Sequence, residues 1–128
     1  MNIIAALALP FALMQSAAEV EGSRFEHCVA QIEADAPAAY ETAMSWAAEG
    51  QSVNAYRCAA MALIDMERYQ EGARRLESLA RAISSNNNGV QAELFSQAGN
   101  AYLLARLPAN ARAAFSQAMA AIGNDPAQ

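Results

Sequence analysis

Few residues in this 128-residue chain carry the chemistry for a reaction. His27 and Cys28 are neighbours, and the second cysteine is Cys58. Three chemistries are open to that set. A Cys28 thiolate activated by His27 would serve a redox or hydrolytic enzyme, and it requires a free, reactive thiol. A metal centre would need carboxylates as well, because the chain has one histidine and no CxxC spacing. A disulfide is the third, since an even cysteine count in an exported chain favours pairing. Other signatures of catalysis are missing: there is no glycine-rich phosphate loop, no GxSxG elbow and no HExxH. All eight basic residues are arginine, which excludes a lysine nucleophile. Acids such as Asp65, Glu67 and Glu71 fall at ordinary helix-surface spacings, without the burial that acid–base work requires. No catalytic residue, metal or cofactor is assigned, and a solvent-facing His27 is expected.

The chain that must position these residues is 55% hydrophobic, with 33 alanines, four prolines and six glycines, the composition of one folded, helix-rich domain. Thirteen acids oppose eight arginines for a formal charge of −5, so no broad basic surface exists to neutralise phosphates, and nucleic acid is excluded as a partner. Ile3 to Met14 is an apolar run followed by Gln15-Ser16-Ala17-Ala18, with small residues at Ser16 and Ala18 where a signal peptidase accepts them. Residues 1–18 are therefore expected to be a cleaved signal peptide. A retained anchor is the alternative, but the run falls short of the roughly 20 residues that span a bilayer. Export, with no stable membrane insertion after cleavage, implies a periplasmic or secreted protein.

Beyond Ala18 the apolar residues repeat at helical spacing. Phe25, Cys28/Val29 and Ile32 mark a short first helix ending at Asp35-Ala36-Pro37, where proline can open the next. The second helix carries Tyr40, Ala43/Met44 and Ala47 with Trp46 beside them, and Gly50 is expected to close it in a left-handed conformation. Ser52 caps a third helix with Val53, Tyr56, Ala59/Ala60, Leu63 and Met66. After a tight turn at Glu67-Arg68, a fourth carries Tyr69, Ala73, Leu76, Ala80 and Ile83. Its outward face pairs Glu71 with Arg75 and Glu77 with Arg81 at i, i+4. Ser84 to Gly89, with three asparagines and a glycine, reads as a flexible loop.

Two alanine-rich runs between Ala92 and Asn124, joined at Arg106-Leu107-Pro108, make the clearest unit. Phe95, Ala98, Tyr102 and Ala105 line one run, and Ala111, Ala114/Phe115, Ala118 and Ile122 the other. Gly99 and Ala118 are small where the helices cross closely, while Phe95, Tyr102 and Phe115 fill the space beside them. The preceding pair repeats this pattern at a constant offset of 39: Tyr56 with Phe95, Ala60 with Gly99, Leu63 with Tyr102, Tyr69 with Pro108, Gly72 with Ala111, Leu76 with Phe115.

On these residues the chain resembles the tetratricopeptide repeat (TPR) family, whose units recur at about 34 residues. Ser84 to Gly89 is where the extra residues of this repeat would lie. The resemblance covers residues 24–124; Pro37, Ala39 and Ala43 echo it more faintly, as in a degenerate or capping unit. It implies an all-α fold of antiparallel helical hairpins, about three, stacked as a short right-handed superhelix. Residues 19–23 would be a linker, 24–124 the repeat domain and 125–128 a tail. The family's first helices line a concave groove that holds peptides or protein segments, which maps onto Asn54, Arg57, Met61 and Asp65, then Glu93, Ser96, Asn100 and Leu103. Asn100 sits where members that clamp a peptide carboxylate place an asparagine, although their lysines are absent here and Arg57 is the one substitute. The architecture would set the helices of Cys28 and Cys58 side by side, and closing a loop of about 30 residues would stabilise the array by roughly 3 to 4 kcal/mol. The expected function is an exported interaction module or scaffold that is not an enzyme. The alternatives are a self-associating structural repeat protein, a homo-oligomer through its uncapped ends, and an enzyme using Cys28 and His27.

Overall fold

The computed structural model describes the backbone of residues 2–83 and 85–123, and the side chains of residues 17, 19–83 and 86–123. Among these residues the chain is helical and contains no strand. The helices are α1 (Asn2–Ala34), α2 (Ala36–Gly50), α3 (Val53–Asp65), α4 (Tyr69–Ala82), α5 (Asn88–Leu104) and α6 (Pro108–Gly123). Each packs on its successor, and α1 also packs on α3. The expected tail, 125–128, lies outside the described residues.

Local chemistry explains the boundaries. Asp35 starts α2 by accepting the Ala38 N–H at 3.1 Å, with proline in the first turn. Ser52 starts α3 by accepting the Ala55 N–H at 3.3 Å. The α3–α4 and α5–α6 turns match bond for bond. Arg68 N–H donates to Leu63 C=O and Leu107 N–H to Tyr102 C=O, each at 2.9 Å, while Glu67 N–H reaches Ile64 C=O and Arg106 N–H reaches Leu103 C=O. This is the Schellman closure of a helix. Its left-handed position is filled by Glu67 (φ 64°) and Arg106 (φ 62°), so the offset of 39 holds in the backbone as well as in the side chains.

Both pairs cross at a glycine, carried on opposite helices. A Cβ on Gly72 of α4 would lie 2.7 Å from Ile64 Cγ1 and 3.0 Å from the Ala60 carbonyl oxygen of α3. On Gly99 of α5 it would lie 2.5 Å from the Phe115 ring of α6. The close crossing expected at Gly99 is therefore present, and Phe115 is the residue that fills it. Helix α3 divides the core: Ala55, Cys58, Ala59 and Ala62 join the cluster with α1 and α2, whereas Ala60 joins the one built from α4, α5 and α6. Small side chains suit a helix covered from both sides.

Four local expectations are corrected. The first helix is not short: α1 runs unbroken from Asn2, so residues 19–23 are helical and not a linker. Long-range partners hold that stretch, because the Ser52 hydroxyl donates to Glu21 and the Arg24 guanidinium pairs with Glu49 at 2.6 Å. Gly50 stays inside α2, and Gln51 takes the left-handed backbone (φ 55°) that closes it. Within the expected loop Ser84 to Gly89, Ser85–Asn87 form a 3-10 turn and Asn88 and Gly89 begin α5. Gln91 fastens this junction by donating to the Ala80 carbonyl at 3.0 Å.

Candidate functional site

Cys28 of α1 and Cys58 of α3 are joined by a disulfide, with their Cα atoms 6.4 Å apart and both side chains buried. The bond ties α1 to α3 directly, which fixes the first helices of successive pairs beside each other. It also leaves Cys28 with no thiolate, and His27 is exposed, so the enzyme reading that requires a reactive thiol finds none in this state.

The same two helices and α5 meet through Arg57. Its guanidinium lies over the Phe25 ring of α1, 5.8 Å from the centroid, donates through Nε to Gln97 of α5 at 2.9 Å, and pairs with Glu93 at 2.9 Å. One side chain therefore spans all three first helices. Of the eight expected groove residues, Arg57 and Glu93 are brought into contact. Met61 and Asp65 line a hollow of about 310 Å³ with Val29, Ile32 and Glu33 of α1 and Ile64. Asn54 and Ser96 are half-buried, and Asn100 and Leu103 are exposed. The floor of the hollow is apolar and carboxylates stand at its rim, an arrangement that can seat an apolar side chain but offers no nucleophile or acid–base pair.

Arg57 donates through Nε to Gln97 and through a second nitrogen to Glu93, which makes it a still weaker substitute for the missing lysines of a carboxylate clamp. Gln97 and Glu33 carried no signal in the sequence, and Phe25, Val29 and Ile32 read there as the apolar stripe of the first helix; their place at this site shows only when α1 and α5 are set against α3. Among the described residues no cluster of three or more histidine, cysteine or acidic side chains could hold a metal ion, and no helix is long and apolar enough to cross a membrane. No protein-family profile, curated protein or solved structure matches this chain. The site must be read from its own geometry.

Among the described residues three arginines stack on aromatic rings, and all three rings belong to α1 or α2: Arg24 over Trp46, Arg57 over Phe25 and Arg75 over Tyr40, at 5.0, 5.8 and 5.4 Å. The hydrogen bond from Arg24 holds the Glu49 carboxyl below its ordinary pKa. On the other side, burial and then the hydrogen bond to Glu77 raise the pKa of the Tyr102 phenol, which donates at 2.9 Å across α4 and α5. The expected pairs Glu71–Arg75 and Glu77–Arg81 are present at 3.8 and 3.5 Å, but the outward face expected for them holds for Arg81 and not for Glu77, whose side chain is 15% exposed and turned to Tyr102 of α5.

Proposed function

We propose that this chain is an exported TPR-like module that holds a peptide or protein segment along the face shared by α1, α3 and α5. The observation that carries the reading is the Arg57 bridge, which sets one face of these three helices in line and leaves the Met61–Asp65 hollow open beside it. Stacked hairpins forming a right-handed superhelix would give that face its concavity. The buried disulfide supports export to the periplasm or the exterior, where such bonds persist. Protein scaffolding fits better than catalysis, because the face provides shape and polar rims without an activated group.

The test uses Asp65→Arg combined with Asn100→Arg, both at exposed positions, in pull-downs from the source cells. Loss of a partner that the parent protein retains, with an unchanged melting curve, is the expected result. Retention of every partner would overturn the assignment of this face. Arg57→Glu is a poor probe, since it breaks the links among α1, α3 and α5 at the same time.

A second reading, self-association, rests on a different observation. At the offset of 39, Ala80 of α4 and Ile83 just after it, which lie in or against the core shared with α5, correspond to Met119 and Ile122 of α6, which are 73% and 41% exposed. A second copy could cover that end. Light scattering at two concentrations distinguishes this from a monomeric module.

A further inference from the structure

A hollow of about 490 Å³ lies outside the groove face, on α4 against the start of α3. Its apolar part is made by Tyr56, Leu79 and Ala82. Arg74, Arg75 and Ser78 flank it. A second hollow of about 480 Å³ continues from it at Glu71 and Arg74 toward Arg68 and Tyr69. Together they follow a helix of 14 residues, a trough on the order of 21 Å long. That length suits a segment of chain better than a compact small molecule.

The charges along the trough are unequal in availability. Glu71 is already engaged by Arg68 at 2.6 Å and by Arg75 at 3.8 Å. Arg75 is held in place by the Tyr40 ring and by Met44 Sδ at 3.6 Å. Arg74 is exposed and makes no ion pair among the described residues. Glu67 is the further carboxylate, at the far end by the α3–α4 turn. Along the trough, therefore, the guanidiniums of Arg68, Arg74 and Arg75 stand against the carboxylates of Glu67 and Glu71, a local positive surplus on a chain whose net charge is −5, and Arg74, with the Ser78 hydroxyl beside it, is the cation without an ion pair among the described residues. The hollow between α1 and α3 has the opposite rim, Glu33 and Asp65.

We propose that the α4 trough is a second docking surface, which takes an acidic peptide segment carrying one aromatic or aliphatic anchor. The anchor sits over Tyr56 and Leu79, and a flanking carboxylate meets Arg74 and the Ser78 hydroxyl, while Arg75 stays on Glu71 and the Tyr40 ring. Such a contact is bidentate in character at arginine and weakens with salt. It is independent of the groove on α1, α3 and α5.

The test is fluorescence anisotropy on the full oxidised protein with two labelled probes: a glutamate-rich peptide containing one tryptophan, and the same peptide with lysine in place of glutamate. The acidic probe should bind and the lysine probe should not compete for the trough. Arg74→Glu with Ser78→Glu should weaken the acidic probe by about tenfold at low salt, while Arg112→Glu, a charge reversal at an exposed position of α6 away from the trough, leaves it unchanged. Circular dichroism checks folding, and Arg74→Gln, which removes the charge alone, should give a smaller loss in the same direction. No binding of the acidic probe, equal binding of the lysine probe at this trough, or binding indifferent to both Arg74 variants would overturn the proposal.

Discussion

The two halves of the molecule, α1 to α3 and α3 to α6, solve the same packing problem with different materials. In the first, alanine dominates the core, with Ile32 and Trp46 the large buried apolar residues alongside the cystine. The Phe25 and Tyr40 rings of that half are half-buried under the Arg57 and Arg75 guanidiniums, and Arg24 lies over the buried Trp46. The second half buries Leu76, Leu94, Phe95 and Tyr102, and sets Phe115 against Gly99. Small side chains permit close helices but remove little apolar surface from water, so a covalent link has most to contribute where the core is poorest. A glycine facing a phenylalanine gains both closeness and buried area, and the second half manages without a covalent link.

This contrast can be broken at several points. Replacing Cys28 and Cys58 together by serine should lower unfolding stability by roughly 3 to 4 kcal/mol, measured by urea denaturation, the largest effect expected. Gly99→Ala should destabilise the second half by about 1 kcal/mol, because overpacking against Phe115 exceeds the helix propensity gained; Phe115→Leu in the same chain should recover most of the loss. An unchanged melting temperature for Gly99→Ala alone would show that the ring moves freely and that the crossing is not tight.

Tyr102 sharpens the comparison with pH. Its folded pKa is raised, so the folded state holds the phenolic proton more firmly than the unfolded chain does. That contribution is complete below the ordinary tyrosine pKa and is lost as pH rises through the folded value. Alkaline titration above about pH 10 should therefore destabilise the parent protein more than Tyr102→Phe, which at neutral pH should itself cost about 1 kcal/mol for the lost bond to Glu77. Parallel alkaline melting profiles would contradict this.

What could be read from the sequence was what repeats or acts locally. A glycine among large residues marked the crossing at Gly99, the offset of 39 paired the two tight turns, and the cap at Ser52 and the i, i+4 pairs on α4 follow from spacing alone. The disulfide was reachable because the two cysteines fall on the first helices of neighbouring pairs. What escaped depended on partners distant in the chain. Residues 19–23 read as a linker because nothing nearby marks them as packed; Ser52 and Glu49 do so only in three dimensions. Gly50 lost the left-handed position to Gln51 by a single residue, within the usual slack of helix ends. Arg57 looked like a free groove cation until Phe25, Glu93 and Gln97 enclosed it, and the α4 trough exists only where Tyr56 crosses from α3.

The division of labour between the halves is tested most directly by native-state hydrogen exchange before and after reduction of Cys28–Cys58. Amides of α1 and α2 should lose protection on reduction while those of α5 and α6 keep theirs, since the second core does not touch the cystine. Equal loss of protection across all six helices would contradict the account.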